Sequence, residues 1–339
     1  MPQDMLREMW LGLKRFWGLR WVIKVPVLLG VVGLVVLVAL AVFALQSEGL
    51  SEAEQHNSRG ASLAGDRRFE EALAEFDSAI EEDPELAMAY MNRGVVYVEL
   101  GELERALVDF GRAIDLDPEN ALAYLARADA HNGTGGYELA IADADKAIDL
   151  DPGLAGAYVN RAIAYRFLGD LDRSIADLDR AIELEPDLAL AYVHRGTAYL
   201  DIDLDQSIAD YDKAIELEPN YARAYEARGN AYRRLGEYDA ALRDLGKAIA
   251  LDPNDARNYV SLGFAYGEAG DPDEAIANFS RAIDLDSTYM HAYLGRGYAY
   301  CALGDVENAS DDLDKVISLA TDADLWAGLQ RCLDELRNR

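Results

Sequence analysis

The sequence contains very little cysteine and histidine for its length. Among 339 residues there are two cysteines, Cys301 and Cys332, and four histidines. So few cysteines exclude the disulfide framework of small secreted scaffolds, and none of these side chains recurs at the spacing of a zinc site. We therefore expect no metal and no cofactor. The two cysteines could form one disulfide or stay as buried thiols, and both alternatives remain open.

Basic residues are also scarce. The chain has 32 lysines and arginines against 62 aspartates and glutamates, which gives a formal net charge of −30 at pH 7. Such an acidic surface repels the phosphates of DNA and RNA, so nucleic acid is excluded as an expected partner. Residues 1–24 are the exception, because they contain five basic and two acidic residues, a net charge of +3.

Catalytic motifs are lacking as well. The sequence has no phosphate-binding loop, no Gly-x-Ser-x-Gly elbow and no zinc-protease signature. Its many carboxylates recur at regular intervals along the chain, which is typical of a solvated face rather than of an acid–base pair. We therefore expect no enzymatic activity and no small-molecule substrate.

One long hydrophobic run is present near the N-terminus. Residues 25–45 form a stretch of 21 residues without a charge, long enough to cross a bilayer as a helix. The basic, tryptophan-rich residues 1–24 precede it and the acidic linker 46–52 follows it. Because basic flanks stay in the cytoplasm, the pattern predicts a single-pass membrane protein with a cytoplasmic N-terminus. The rest of the chain would then lie outside the cytoplasm, most simply in a bacterial periplasm. A cleaved signal peptide is the alternative.

The rest of the sequence repeats with a period of 34 residues, as the segment Ala155–Leu188 illustrates. Apolar residues at helical spacing lead to Gly169, which stands where a left-handed helix end is expected. Asp170 follows as a helix N-cap, a second apolar stripe comes next, and Pro186 ends it. Each repeat is therefore predicted to be two helices joined by a tight turn.

Small residues recur at fixed positions of this repeat. With Ala155 as the first position, the eighth is glycine or alanine in every unit: Gly60, Gly94, Ala128, Ala162, Gly196, Gly229, Gly263 and Gly297. The twentieth is alanine or serine: Ala72, Ala106, Ala140, Ser174, Ser207, Ala241, Ala275 and Ala309. The pattern resembles the tetratricopeptide repeat family, a helix–turn–helix unit of about 34 residues.

The resemblance covers eight units, which occupy residues 53–86, 87–120, 121–154, 155–188, 189–221, 222–255, 256–289 and 290–323. It implies an all-α fold, a right-handed α-solenoid of eight helix–turn–helix units. An amphipathic segment at 324–339 is expected to be a C-terminal capping helix, and the transmembrane helix at 25–45 is expected to precede the array.

Arginine and carboxylate also recur together. The seventh position is arginine in seven units: Arg59, Arg93, Arg127, Arg161, Arg195, Arg228 and Arg296. The twenty-third position is acidic in the same seven units: Glu75, Asp109, Asp143, Asp177, Asp210, Asp244 and Asp312. The seventh unit has Leu262 and Asn278 instead. This joint loss predicts an arginine–carboxylate pair between the two helices of each unit.

The resemblance also implies where a partner would bind. In tetratricopeptide proteins the first helices line a concave surface, largely through positions two, five, nine and twelve. Here these positions supply an apolar stretch, formed by Met88, Met91, Val95, Leu122, Leu125, Val159, Ile163, Leu190 and Val193. Further along they supply a basic cluster, formed by Arg223, Asn230, Arg233 and Arg257. A peptide or partner helix with an apolar stripe and an acidic end would fit this groove.

The expected function is therefore a membrane-anchored scaffold or assembly factor for protein partners that are themselves associated with the membrane. Two alternatives remain open. The chain could be a permanent structural subunit of a membrane complex, or an accessory module that regulates a separate enzyme.

Overall fold

The computed structural model describes residues 50–319 and residue 334. Residues 50–319 form sixteen α-helices and no β-strand. In chain order the helices are α1 (Glu52–Gly65), α2 (Phe69–Glu82), α3 (Ala87–Glu99), α4 (Leu103–Leu116), α5 (Ala121–Thr134), α6 (Tyr137–Leu150), α7 (Ala155–Phe167), α8 (Leu171–Leu184), α9 (Ala189–Tyr199), α10 (Leu204–Leu217), α11 (Ala222–Leu235), α12 (Tyr238–Leu251), α13 (Ala256–Ala269), α14 (Pro272–Leu285), α15 (Met290–Leu303) and α16 (Val306–Leu319).

The sixteen helices stack as eight successive pairs. Each helix packs against the one before it and the one after it. The first helices of neighbouring pairs, such as α5 and α7, also contact each other, whereas the second helices of neighbouring pairs lie further apart. A stack curves towards the side on which its helices approach most closely, so the odd-numbered helices line the inner face. The predicted all-α solenoid is confirmed for the described residues.

Small residues at the eighth position allow the two helices of a pair to cross closely. At Gly196, an added Cβ would lie 2.8 Å from the ring of Tyr211 and 2.9 Å from the backbone oxygen of Ser207. The Tyr211 ring is fully buried in this space. Packing therefore restricts position eight to small residues, because a larger side chain would force neighbouring atoms of the core to move.

The turn within six of the eight pairs is built as the repeat predicts, with a left-handed glycine. Gly169 has φ +82°, a left-handed conformation that glycine adopts without steric cost. Asp170 caps α8 by accepting a hydrogen bond from the Arg173 amide at 3.1 Å. In the first pair Arg67 takes the left-handed position with φ +60°. In the fifth pair, which lacks the glycine, α9 ends early at Tyr199.

The predicted arginine–carboxylate pairs are present between the two helices of each pair that carries both residues. Arg161 donates from Nε and Nη2 to the two carboxylate oxygens of Asp177, both at 2.7 Å. It also donates from Nη1 to Asp145, on the second helix of the preceding pair, at 2.5 Å. Arg93, Arg195 and Arg228 make the same double contact. Each of these arginines therefore fastens one pair to the next, which the repeat pattern alone did not indicate.

The fourth-position tyrosines add a second connection. Their hydroxyl groups donate to a backbone carbonyl six residues earlier, at 3.2–3.3 Å, in the turn that links successive pairs. The tyrosines that do so are Tyr90, Tyr158, Tyr192, Tyr225, Tyr259 and Tyr293. These six tyrosines therefore fix the start of the first helix in their own pairs.

The structure contradicts the predicted membrane localisation. Within residues 50–319 no helix is both long and apolar enough to cross a membrane. These helices have 11 to 14 residues, whereas a span needs about 20. The expected span at 25–45, the basic segment 1–24 and, except for residue 334, the expected cap at 324–339 lie outside the described residues. We therefore do not retain the single-pass assignment or the membrane-associated partners.

Candidate partner-binding surface

The inner face is built from side chains of the odd-numbered helices that point away from the paired helix. The residues expected to line a groove fall into two groups there. Those at position five are buried, with only 1–2% of their surface exposed: Met91, Leu125, Val159 and Val193. They pack in the cores that join one pair to the next. A partner could contact them only if their neighbours moved.

The remaining apolar residues of the expected groove are accessible to different degrees. Met88 is 43% exposed, and Val95, Leu122, Ile163 and Leu190 are partly buried. Each belongs to α3, α5, α7 or α9. These five residues form an accessible apolar strip along pairs two to five. The strip contains fewer residues than the nine that were expected from the sequence.

The expected basic cluster is largely neutralised by its own neighbours. Arg233 forms an ion pair with Glu268 on the next first helix, and Arg257 pairs with Asp255 at 2.7 Å. Asn230 donates from Nδ2 to Glu226 at 2.5 Å and to the Ser261 hydroxyl at 3.1 Å. Only Arg223, of the four residues in this cluster, has neither an ion pair nor a hydrogen bond among the described residues.

Arg223 instead belongs to a second group of cationic and hydrogen-bonding side chains, which we name the donor cluster: Arg166, His194, Tyr221 and Arg223. The four residues come from α7, α9, α11 and the turn before α11. Tyr221 and His194 are only 5% and 6% exposed, and the arginines are partly buried. The cluster therefore spans pairs four to six.

The electrostatics of the donor cluster follow from burial and from its own positive charges. Burial lowers the pKa of Arg166, and the charge of Arg223 lowers it further. Burial also holds the pKa of His194 well below its usual range, with smaller contributions from Arg223 and Arg166. His194 is therefore neutral at pH 7. Burial raises the pKa of Tyr221 above its usual value, so its hydroxyl keeps its proton.

A single acidic residue, Asp129, lies on the inner face of α5. Its carboxyl has neither an ion pair nor a hydrogen bond among the described residues. Burial raises the pKa of Asp129 to about 7, because a desolvated carboxyl favours its neutral form. One helical turn further, the Oδ1 atom of Asn132 is buried without a hydrogen-bond donor. This part of the face therefore presents unsatisfied acceptors.

The sequence could have indicated part of the donor cluster. Arg166 is at position twelve of its unit, one of the four positions that the family resemblance selects. His194 is at position six and Tyr221 is the last residue of its unit, so neither position was included. Only the stacking of three successive pairs brings these residues together.

No candidate metal centre accompanies these groups. Within residues 50–319 no three side chains of histidine, cysteine, aspartate or glutamate are arranged to hold a metal ion. Cys301 is buried, and Cys332 lies outside the described residues, so their pairing remains a prediction.

Family models match most of the stacked region. The model described as "TPR repeat" matches residues 94–135, 203–236, 229–270 and 268–304. The model described as "Tetratricopeptide repeat" matches residues 121–154, 155–188 and 291–322. The chain therefore belongs to the tetratricopeptide repeat proteins. Proteins with these repeats generally mediate protein–protein interactions through the surfaces that stacking creates.

Solved structures show the same fold. The structure of the APC/C hetero-tetramer Cut9-Hcn1 aligns with a TM-score of 0.65 and 17% identity over 90% of this chain. This chain spans 62% of the length of that relative. A tetratricopeptide repeat protein from Parabacteroides merdae aligns with a TM-score of 0.58 and 20% identity, over 73% of this chain and 98% of that one. No curated protein matches the sequence.

Proposed function

We propose that this chain is a non-enzymatic interaction scaffold that binds a segment of a partner protein along the inner face of pairs two to six. The binding surface consists of the accessible apolar strip and, beside it, the donor cluster. The expected groove residues Met88, Val95, Leu122, Ile163 and Leu190 form the apolar part. The buried residues at position five support this surface from beneath.

One observation carries the proposal. Arginines between the paired helices have their charge matched by carboxylates, as Arg161 does with Asp177 and Asp145. On the inner face, Arg166, Arg223 and Asp129 have no such match among the described residues. Partly buried charges without partners are unfavourable, so a surface that keeps them is suited to a ligand that supplies the missing groups.

A segment with apolar side chains fits this surface better than a small molecule does. The apolar strip and the donor cluster together extend over five helix pairs, from α3 to α11. Extended peptides and amphipathic helices bind such surfaces through side chains at regular spacing. The low affinity expected of each contact is offset by their number along the array.

Site-specific photo-crosslinking in cells that contain the full chain tests this proposal. A photoreactive amino acid would replace Ile163 or Met88 on the inner face, and Val108 or Leu139 on second helices. The last two are 72% and 57% exposed and serve as matched controls. We expect the inner-face positions to give a discrete adduct with another polypeptide, identified by mass spectrometry, and the controls to give none.

Equal adducts from Val108 and Ile163 would contradict binding on the inner face. A lack of adducts at every position, in cells in which the chain is folded, would contradict the scaffold function itself. Folding of each variant is checked by its helical circular dichroism and melting temperature.

A further inference from the structure

The turns inside pairs three to five carry a cluster of large apolar side chains, which we name the turn patch: Tyr137, Phe167, Leu168, Leu171 and Ile202. The Tyr137 and Phe167 rings stack in parallel, with their centres 4.7 Å apart. Leu168, Leu171 and Ile202 line one open cleft of about 450 Å³. Phe167, Leu168 and Ile202 are 54%, 45% and 55% exposed. Because Phe167 and Leu168 are neighbours in sequence, the stacked rings and the cleft belong to one continuous surface.

Two members of the turn patch are departures from the repeat. Position thirteen, where Phe167 lies, is polar or small in the other seven units: Gly65, Glu99, Gly133, Asp201, Arg234, Glu268 and Ala302. Ile202 lies two residues before α10 begins, where six other pairs have a left-handed glycine. The other pairs stack without an apolar side chain at these positions, so packing of the array does not require Phe167 or Ile202. Contiguous exposed apolar surface of this kind is typical of interaction sites.

The Phe167 ring is held in a fixed position. Tyr137, from the preceding pair, stacks on it, and the Arg166 guanidinium carbon lies 4.2 Å from its centre. These contacts restrict rotation of the ring while more than half of the side chain stays exposed. A partner that packs against Phe167 therefore loses little affinity to ordering of this side chain.

The charges around the turn patch are mostly negative. The three turns contain six acidic and two basic side chains, a net charge of −4, within residues 132–139, 165–173 and 199–206. Neither basic side chain is available to an acidic partner at the cleft. Arg173 forms an ion pair with Asp170 at 2.5 Å, and Arg166 packs on the Phe167 ring.

One carboxylate at the cleft has no internal partner. Asp172 lines the cleft beside Leu168 and Ile202, and it is exposed. Its carboxylate has neither an ion pair nor a side-chain hydrogen bond among the described residues. An apolar cleft with a carboxylate at its side is complementary to an apolar side chain that has lysine or arginine next to it.

We propose that the turn patch is a second docking surface, separate from the inner face, that binds a basic amphipathic segment of another protein. An apolar side chain of this segment enters the cleft between Leu168 and Ile202, and a lysine or arginine pairs with Asp172. A second copy of this chain is disfavoured as the occupant, because two chains that each have a net charge of −30 repel one another. With two separate surfaces, the chain brings two different partners together.

Peptide selection on the full chain tests this inference. The probe is a library of random linear peptides displayed on phage, selected on the immobilised chain and counter-selected on the double variant Phe167→Ser with Ile202→Gly. We expect the recovered peptides to combine aromatic or branched apolar side chains with lysine or arginine. Recovered peptides rich in aspartate and glutamate, or none that distinguishes the two proteins, would overturn the proposal.

Fluorescence anisotropy then measures the affinity of the recovered peptides for variants of the full chain. We expect the double variant to bind them about tenfold or more weakly. Val108→Ser removes a side chain that is 72% exposed on α4, and this matched control should leave the affinity unchanged. Equal affinities for the original protein and the double variant, or an equal loss in Val108→Ser, would contradict a specific site.

Asp172→Lys keeps every apolar residue of the turn patch and reverses one exposed charge. It should therefore fold even if the double variant proves unstable, which melting temperatures determine for each protein. We expect it to bind the basic peptides several-fold more weakly, because attraction becomes repulsion. Unchanged affinity in Asp172→Lys would overturn the predicted charge of the partner.

Sedimentation velocity of the full chain distinguishes the occupant. A dimer that the double variant converts into a monomer would assign the turn patch to a second copy and overturn the proposal. The same sedimentation coefficient in both proteins supports a different protein as the partner. Crosslinks from Ile163 report on the inner face alone, so the scaffold function is tested independently of this surface.

Discussion

Two arginines of one helix, five residues apart, occupy opposite environments. Arg161 lies between α7 and α8 and is bound by carboxylates of two helix pairs, Asp177 and Asp145. Arg166 faces the inner surface, lies 4.2 Å from the centre of the Phe167 ring, and has no carboxylate partner among the described residues. Correspondingly, hydrogen bonds to Asp177 raise the pKa of Arg161, whereas burial lowers that of Arg166.

The contrast separates structural charges from charges available to a ligand. Between the helices, residues at fixed positions neutralise each other, and the same arrangement recurs along the array. On the inner face, charged residues occur at different positions in different units, and three of them, Arg166, Arg223 and Asp129, have no internal partner among the described residues. The difference yields three predictions, because removing a charge should greatly destabilise the array only where that charge has an internal partner.

The largest effect is expected where Arg161 is replaced. Arg161→Met leaves the carboxylate of Asp177, a residue only 8% exposed, without its bidentate partner. Removing one member of a buried ion pair leaves an uncompensated charge, so we expect a loss of roughly 3 kcal/mol in the free energy of unfolding. Urea denaturation followed by circular dichroism measures this loss.

The seventh pair provides the matched control for this substitution, because it naturally has Leu262 and Asn278 at the two positions. The double variant Arg161→Leu with Asp177→Asn copies that arrangement and removes both charges together. It should recover most of the lost stability. If the double variant is as unstable as Arg161→Met, loss of arginine packing rather than an unpaired carboxylate is the cause.

Much of the fold could be predicted because the same unit occurs eight times in the sequence. Any one unit, such as Ala155–Leu188, gives only a plausible helix pair, but eight aligned units show which positions are always small, apolar or charged. The joint absence of arginine and acid from the seventh unit even identified the partners of the ion pair. The contact of Arg161 with Asp145 was missed, because the residue at that position varies from unit to unit and includes Gly111 and Gly246.

The inner face could be predicted less well, for a physical reason. Its residues meet across two or three successive pairs, so their contacts depend on how tightly the stack is wound. Met91 and Leu125 were expected to line a groove, but their side chains are buried between neighbouring first helices. Arg233 and Arg257 were expected to be available cations, but each has an acidic neighbour that sequence position alone did not reveal.

The second prediction concerns Asp129, the unpaired acid of the inner face. Burial raises its folded-state pKa to about 7, above the value of about 3.9 expected in the unfolded chain. The folded protein therefore binds this proton more tightly, and the resulting stability is lost as the pH rises towards 7. Asp129→Asn removes the charge, so we expect it to be more stable than the original protein by roughly 2 kcal/mol at pH 8, with allowance for partial exposure of the carboxyl.

Urea denaturation at several pH values measures this effect. The advantage of Asp129→Asn should shrink steadily as the pH is lowered from 8 to about 5.5, because Asp129 then becomes neutral in the folded protein. Asp284→Asn, at an exposed position of α14, should show a constant difference across this range. A constant difference for Asp129→Asn as well would rule out the raised pKa.

The smallest effect is expected for Arg166→Met, the counterpart of Arg161→Met on the same helix. Methionine keeps an unbranched stem that can pack beside Phe167, and it removes a guanidinium group whose Nε has no acceptor. No carboxylate is left behind, so the free energy of unfolding should change by less than about 1 kcal/mol, in either direction. A loss as large as that of Arg161→Met would show that Arg166 stabilises the array, and the distinction between the two regions would then fail at this residue.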